Sequence, residues 1–108
     1  MKTVRISRRR WWRGNGTGQL LNSTDKMCCL GFVCRSYGVT RKAINHVPMP
    51  ADVEWPQRRK LPRWLTRHDG LASKAAGIND EPGLAEPERE RRIAAIFKRR
   101  GLRAVFTK

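Results

Sequence analysis

The sequence predicts a small α+β domain, and three observations lead there. The chain has 108 residues, the span of one domain. It opens and closes on short apolar stretches, residues 2–6 and 102–107, that suit strands. Between them lie several short helical patterns and one long one at residues 86–100. Folding at this size buries roughly two-thirds of the unfolded surface, enough for one core without staples. The expected architecture is a single domain, residues 1–108, with a short antiparallel sheet packed on helices. That sheet is built from the N- and C-terminal strands plus a hairpin.

Residues 2–6 alternate, with Val4 and Ile6 on one face and Arg5 on the other, the pattern of a half-buried strand. Gly14-Asn15-Gly16-Thr17-Gly18 reads as loop, because three glycines in five residues disfavour a regular element. Asn22-Ser23-Thr24-Asp25 reads as a hairpin turn between Gln19–Leu21 and Lys26–Cys28. From Cys28 to Tyr37, Cys29, Phe32 and Val33 recur at helical spacing, which predicts a buried helix stopping at Gly38. Thr40 caps a short helix running to about His46. Residues 47–62 hold four of the six prolines and form an extended or turned connection. Pro62 starts a short helix with Trp64 and Leu65, and Asp69 caps one bearing Leu71, Ala75 and Ile78 that stops near Asn79-Asp80. In the long helix Pro87 and Glu86, Glu88 and Glu90 sit at the start, and Lys98, Arg99 and Arg100 at the end. Its core stripe is Ile93, Ile96 and Phe97, and Gly101 ends it.

Charge bounds the partners. With 24 Lys plus Arg against 9 Asp plus Glu, the formal charge is +15. Self-repulsion of that size lowers the stability of a compact monomer, and an anionic partner relieves it. Three basic clusters stand out. Arg8, Arg9, Arg10 and Arg13 surround Trp11 and Trp12, combining phosphate-binding forks with flat stacking surfaces. Adjacent strand residues point to opposite faces, so one of the two indoles is expected outside. Arg58, Arg59 and Lys60, with Arg63 and Arg67, bracket Trp64. Arg91, Lys98 and Arg99 lie on the long helix away from its apolar stripe. No helix-turn-helix or zinc-finger spacing is present, so single strands or RNA are expected over duplex readout.

The three cysteines are odd in number and two are adjacent, Cys28 and Cys29, which argues against a disulfide scaffold. Cys28, Cys29 and Cys34 with His46 and His68 have the chemistry of zinc ligands. Joint ligation by neighbours is awkward, however, and neither Cys-x-x-Cys nor His-x-x-x-His occurs. Buried thiols, with no metal or cofactor, are the expectation. Cys28, nearest the helix start, is the best candidate for a reactive thiol. The glycine loop with Arg13 offers an anion nest, but it lacks the strand-then-helix context of a dinucleotide site. The acids are explained by helix electrostatics and turns, and the histidines have no catalytic partner at meaningful spacing, so no enzyme is expected. No apolar run approaches the ~20 residues of a membrane span, and no secretory pattern follows the basic N-terminus.

At Met27-Cys28-Cys29-Leu30-Gly31-Phe32-Val33-Cys34 the chain resembles a group of small proteins from tailed bacteriophages and prophages, marked by a Cys-Cys-Leu-Gly-x-x-Cys segment. The likeness continues through the leucine and proline before Trp64, the Ile78-Asn79-Asp80 turn and the terminal helix and strand, roughly residues 11–106. In that group the opening is a helix with a Trp and an Arg-Ser-Gly step, whereas Arg8 to Gly18 here is more basic and richer in glycine. The resemblance implies a phage accessory protein in a bacterial cytoplasm and no catalytic residue. The expected function is binding of nucleic acid or a ribonucleoprotein through the arginine and tryptophan surface. The alternative is an inhibitor docking on an acidic surface of a host or defence protein, or sequestering an anionic nucleotide.

Overall fold

Strand β1 (Lys2–Ser7) and strand β2 (Leu102–Thr107) form the sheet, and they run parallel. Lys2 lies opposite Leu102 and the register continues to Ser7 opposite Thr107. A computed structural model describes every residue except Thr17, His68 and Asp69. Among the described residues this two-stranded sheet replaces the antiparallel sheet expected above. Alternation tells which face of a strand is buried, not which way its neighbour runs. The direction is set by where the long helix ends: Lys2 N–H donates to Gly101 O at 3.2 Å, so β2 departs from the same end as β1. The whole intervening chain is the crossover that a parallel pair requires.

The expected hairpin does not form either. Its turn does: Asn22 Oδ1 accepts from Thr24 N–H at 2.9 Å and Lys26 N–H at 3.0 Å, an Asx turn. Between the flanks Cys28 N–H donates to Gln19 O at 3.3 Å, but no ladder follows: Met27 bridges to Trp11 and Leu21 to Asn45. Leu20, Leu21 and Met27 are all buried, so each flank follows its own core partners instead of forming a strand ladder with the other.

The helices are α1 (Cys29–Ser36), α2 (Arg41–Ile44), α3 (Arg63–Thr66), α4 (Gly70–Asp80) and α5 (Glu86–Lys98). Helix α1 stops where predicted, with Gly38 at φ +87°. Thr40 caps α2 by accepting from Ala43 N–H at 3.2 Å. The proline-rich connection contains two 3-10 turns, Pro50–Asp52 and Gln57–Lys60. Pro62 lies just before α3, at its cap rather than in its first turn. The proposed cap Asp69 lies outside the described residues. Val4 and Ile6 of β1, the Ile93, Ile96 and Phe97 stripe of α5, and Cys29, Leu30, Val33 and Cys34 of α1 meet in one core. Gly31 permits that approach: a Cβ there would stand 2.1 Å from Leu20 O.

Candidate nucleic-acid interface

The N-terminal cluster is drawn into the fold. Trp11 is buried, its ring packed against Phe106 at a centroid distance of 5.3 Å and a tilt of 38°, and its indole N–H donates to Asn79 Oδ1 at 2.7 Å. Trp12 is half-buried. Arg13 lies 4.4 Å over the Trp11 ring, holds Glu86 at 2.5 Å, and donates to the carbonyls of Arg8 and Trp11. Arg8 pairs with both Glu90 oxygens at 2.8 Å. Arg10 faces Asp25 at 3.8 Å, and Arg9 is exposed. The expected display of a free indole among four guanidinium groups is therefore reduced to Arg9 and Arg10 beside a half-covered Trp12.

The glycine loop serves the protein itself. Gly14 N–H donates to Asn79 O at 2.8 Å, Gly16 N–H to Asp80 O at 2.9 Å and Gly18 N–H to Asp80 Oδ2 at 3.2 Å. Positive φ at Gly14 (+73°) and Gly16 (+76°) turns these donors toward the C-terminus of α4. Helix ends leave carbonyls without intrahelical partners, and this loop satisfies two of them. The N–H groups of Gly14, Gly16 and Gly18 and the Arg13 guanidinium are thus engaged within the fold; Thr17 lies outside the described residues.

The second cluster is differently placed. Trp55, 62% exposed, is an outward-facing large aromatic in the proline-rich connection. The Arg59 guanidinium carbon lies 5.8 Å from its ring centroid. Arg58 donates to Ala51 O at 3.3 Å and Lys60 to Gly38 O at 3.0 Å, so the backbone fixes two of the three cations next to the indole. Arg58, Arg59, Lys60 and Arg63 are exposed, while Trp64, which the sequence places at the centre of this cluster, is buried. Trp55 also walls a cleft of about 510 Å³ with Lys42, Asn45, Asp52, Glu54 and Gln57. Sequence reasoning missed Trp55. A partial signal was present: Trp55 lies between Glu54 and Pro56, and the four residues after that proline, Gln57 to Lys60, are all polar or charged, so no apolar pattern continues through it.

In the third cluster Arg91, Lys98 and Arg99 are exposed as expected, with Arg91 held by Glu88. Arg91 and Arg99 line a groove between α4 and α5 together with Lys74 and Arg92, which the sequence reading passed over. Their spacing on α5 (91, 92, 95, 99) marks one helical face.

The thiols are inward. Cys28, Cys29 and Cys34 are free and buried, and burial pushes the Cys28 thiol up to about 11 and the other two upward as well. A low, exposed thiol is what nucleophilic chemistry needs, and Cys28 has neither property. His46 is exposed and His68 lies outside the described residues. Among the described residues no group of three or more His, Cys, Asp or Glu is placed to hold a metal ion. Among them, too, no helix is long and apolar enough to cross a membrane. Comparison with family models, curated proteins and solved structures finds no match to the chain.

Proposed function

We propose that the protein binds single-stranded nucleic acid, RNA above all, through the surface around Trp55. The observation that carries this reading is an indole 62% exposed with the Arg59 guanidinium 5.8 Å from its ring centroid, in a segment that also carries the exposed Arg58 and Lys60. A flat aromatic ring at the surface stacks an unpaired base, and neighbouring guanidinium and ammonium groups take the phosphates. Asn45, Gln57, Asp52 and Glu54 in the adjoining cleft offer donors and acceptors to the edges of a splayed base. In line with the resemblance at the cysteine segment, the setting proposed is a phage-infected bacterial cell.

The test is titration of a fluorescently labelled uridine decamer at several salt concentrations. Trp55→Ala should weaken binding by ~1–3 kcal/mol, the usual worth of one stacked base. Replacing Arg58, Arg59 and Lys60 together by Ala should flatten the log–log salt slope by about 2, given ~0.7 per phosphate on a single strand. Affinity unchanged in both variants, or a protein that binds no decamer at low salt, overturns the reading.

A further inference from the structure

We propose that the groove between α4 and α5 receives an acidic amphipathic helix of a partner protein. The two helices are joined by the short connection 81–85 and leave between them a cavity of about 750 Å³ that is open along one side. Its floor is apolar: Ile78 and Gly77 from α4, Ala95 and Ile96 from α5. On α4 the lining residues fall at 74, 77, 78 and 80, with 81 just beyond its end, and on α5 at 91, 92, 95 and 96, with 99 at its C-cap. The α5 set is a single helical stripe, so the groove follows that helix and spans ~12 Å from Arg91 to Arg99 at 1.5 Å per residue.

Charge selects the occupant. Lys74, midway along α4, and Arg99, at the C-cap of α5, have exposed cationic side chains with no ion pair among the described residues. Arg91 and Arg92 share the single carboxylate of Glu88, leaving positive charge in excess. At the other end Asp80 and Glu81 also line the groove, and Asp80 is already held by Gly18 N–H and Asn79 Nδ2. An apolar floor with a cationic rim matches a helix carrying a leucine-type stripe flanked by Asp or Glu. A drug-sized ligand normally has 70–90% of its surface buried, which an open groove does not provide.

Gly77 is an independent pointer to a close-packed partner. It lies inside α4, where glycine is unfavourable relative to alanine, yet a Cβ there would meet nothing within 4 Å. The protein's own packing therefore gives no reason for glycine at this position. A second helix laid over bare backbone does, since it can approach more closely than over any side chain.

The experiment is an NMR titration of the full chain with a designed peptide of about 14 residues, roughly 20 Å of helix. It carries leucine at every third or fourth position and glutamate on the flanks. A glutamine-for-glutamate peptide and a uridine decamer are the controls. Amide shifts confined to α4 and α5, with at least tenfold weaker binding of the glutamine peptide, are expected. Gly77→Leu fills the floor and should weaken peptide binding at least tenfold with the melting temperature unchanged or raised. Lys74→Glu with Arg99→Glu should lose the acidic peptide and gain a lysine-flanked one. Equal binding of the peptide to wild type and Gly77→Leu, no shifts in the groove, or groove shifts produced by the decamer instead of the peptide overturns the proposal.

Discussion

Asn79 is the residue on which the interior turns. Its Oδ1 accepts from the Trp11 indole at 2.7 Å and from Cys29 N–H at 2.9 Å, and its Nδ2 donates to Trp12 O and to Asp80 Oδ1, each at 3.0 Å. One fully buried amide thereby ties the loop after β1, the first turn of α1 and the end of α4. Asn79→Ala leaves two buried donors without an acceptor, each costing ~1–3 kcal/mol, so unfolding in urea should show a loss of about 2–4 kcal/mol. A loss below ~0.5 kcal/mol would mean that water replaces the amide. The sequence marks Asn79 as a helix stop and no more. Its partners lie 68 and 50 residues away, and no local pattern encodes such a pairing. For the same reason the choice between Trp11 and Trp12 was open: alternation sends them apart, and only the core decides which is covered.

At the scale of elements, α4 and α5 are locked by Arg89, a guanidinium 2% exposed. Its Nη1 donates to the carbonyls of Ile78, Asn79 and Glu81, its Nη2 to Leu84 O, and its Nε to Glu86 Oε1. The planar fork serves diverging acceptors that an ammonium cannot reach together. Arg89→Lys should cost ~3–5 kcal/mol, the range for breaking a buried charged network, and Arg89→Met a similar amount. Hydrogen exchange at the Gly14 and Gly16 amides, which bond to the same helix end, should quicken in both variants; protection unchanged would separate the loop from the arginine. Helix α5 itself was legible, because Pro87, the leading glutamates and Gly101 are local signals. Arg89 was not, since an arginine amid charged residues on an amphipathic helix looks like part of a solvated face. The strands were legible as strands, but their relative direction was not.

Over the whole molecule, excess charge is managed by sharing. Among the described residues four carboxylates engage seven arginines: Asp25 takes Arg10 and Arg41, Glu86 takes Arg13 and Arg89, Glu88 takes Arg91 and Arg92, and Glu90 takes Arg8. Burial raises the Glu86 carboxyl, but the hydrogen bonds and charges of Arg13 and Arg89 outweigh it and hold the group below its ordinary 4.5. Hydrogen bonds from Arg91 and Arg92 lower Glu88 in the same way. A carboxyl depressed by folding adds stability above its unfolded value and loses it as pH falls through its folded one. Thermal stability should accordingly decline once pH drops below about 4.5, and Glu86→Gln with Glu88→Gln should flatten that decline. An acid slope identical in wild type and variant would assign it to other carboxylates. Net charge raises the expectation of an anionic partner; which cations are already engaged at home is a property of the folded chain alone.

The pairing of Ser7 with Thr107 bears on how the protein comes into being. On a ribosome β1 must wait for residues 8–101 to be translated before its neighbour exists. Val4 and Ile6 meanwhile have an incomplete cover, so a nascent chain halted before Leu102 is a natural client for a chaperone and a poor candidate for stepwise maturation.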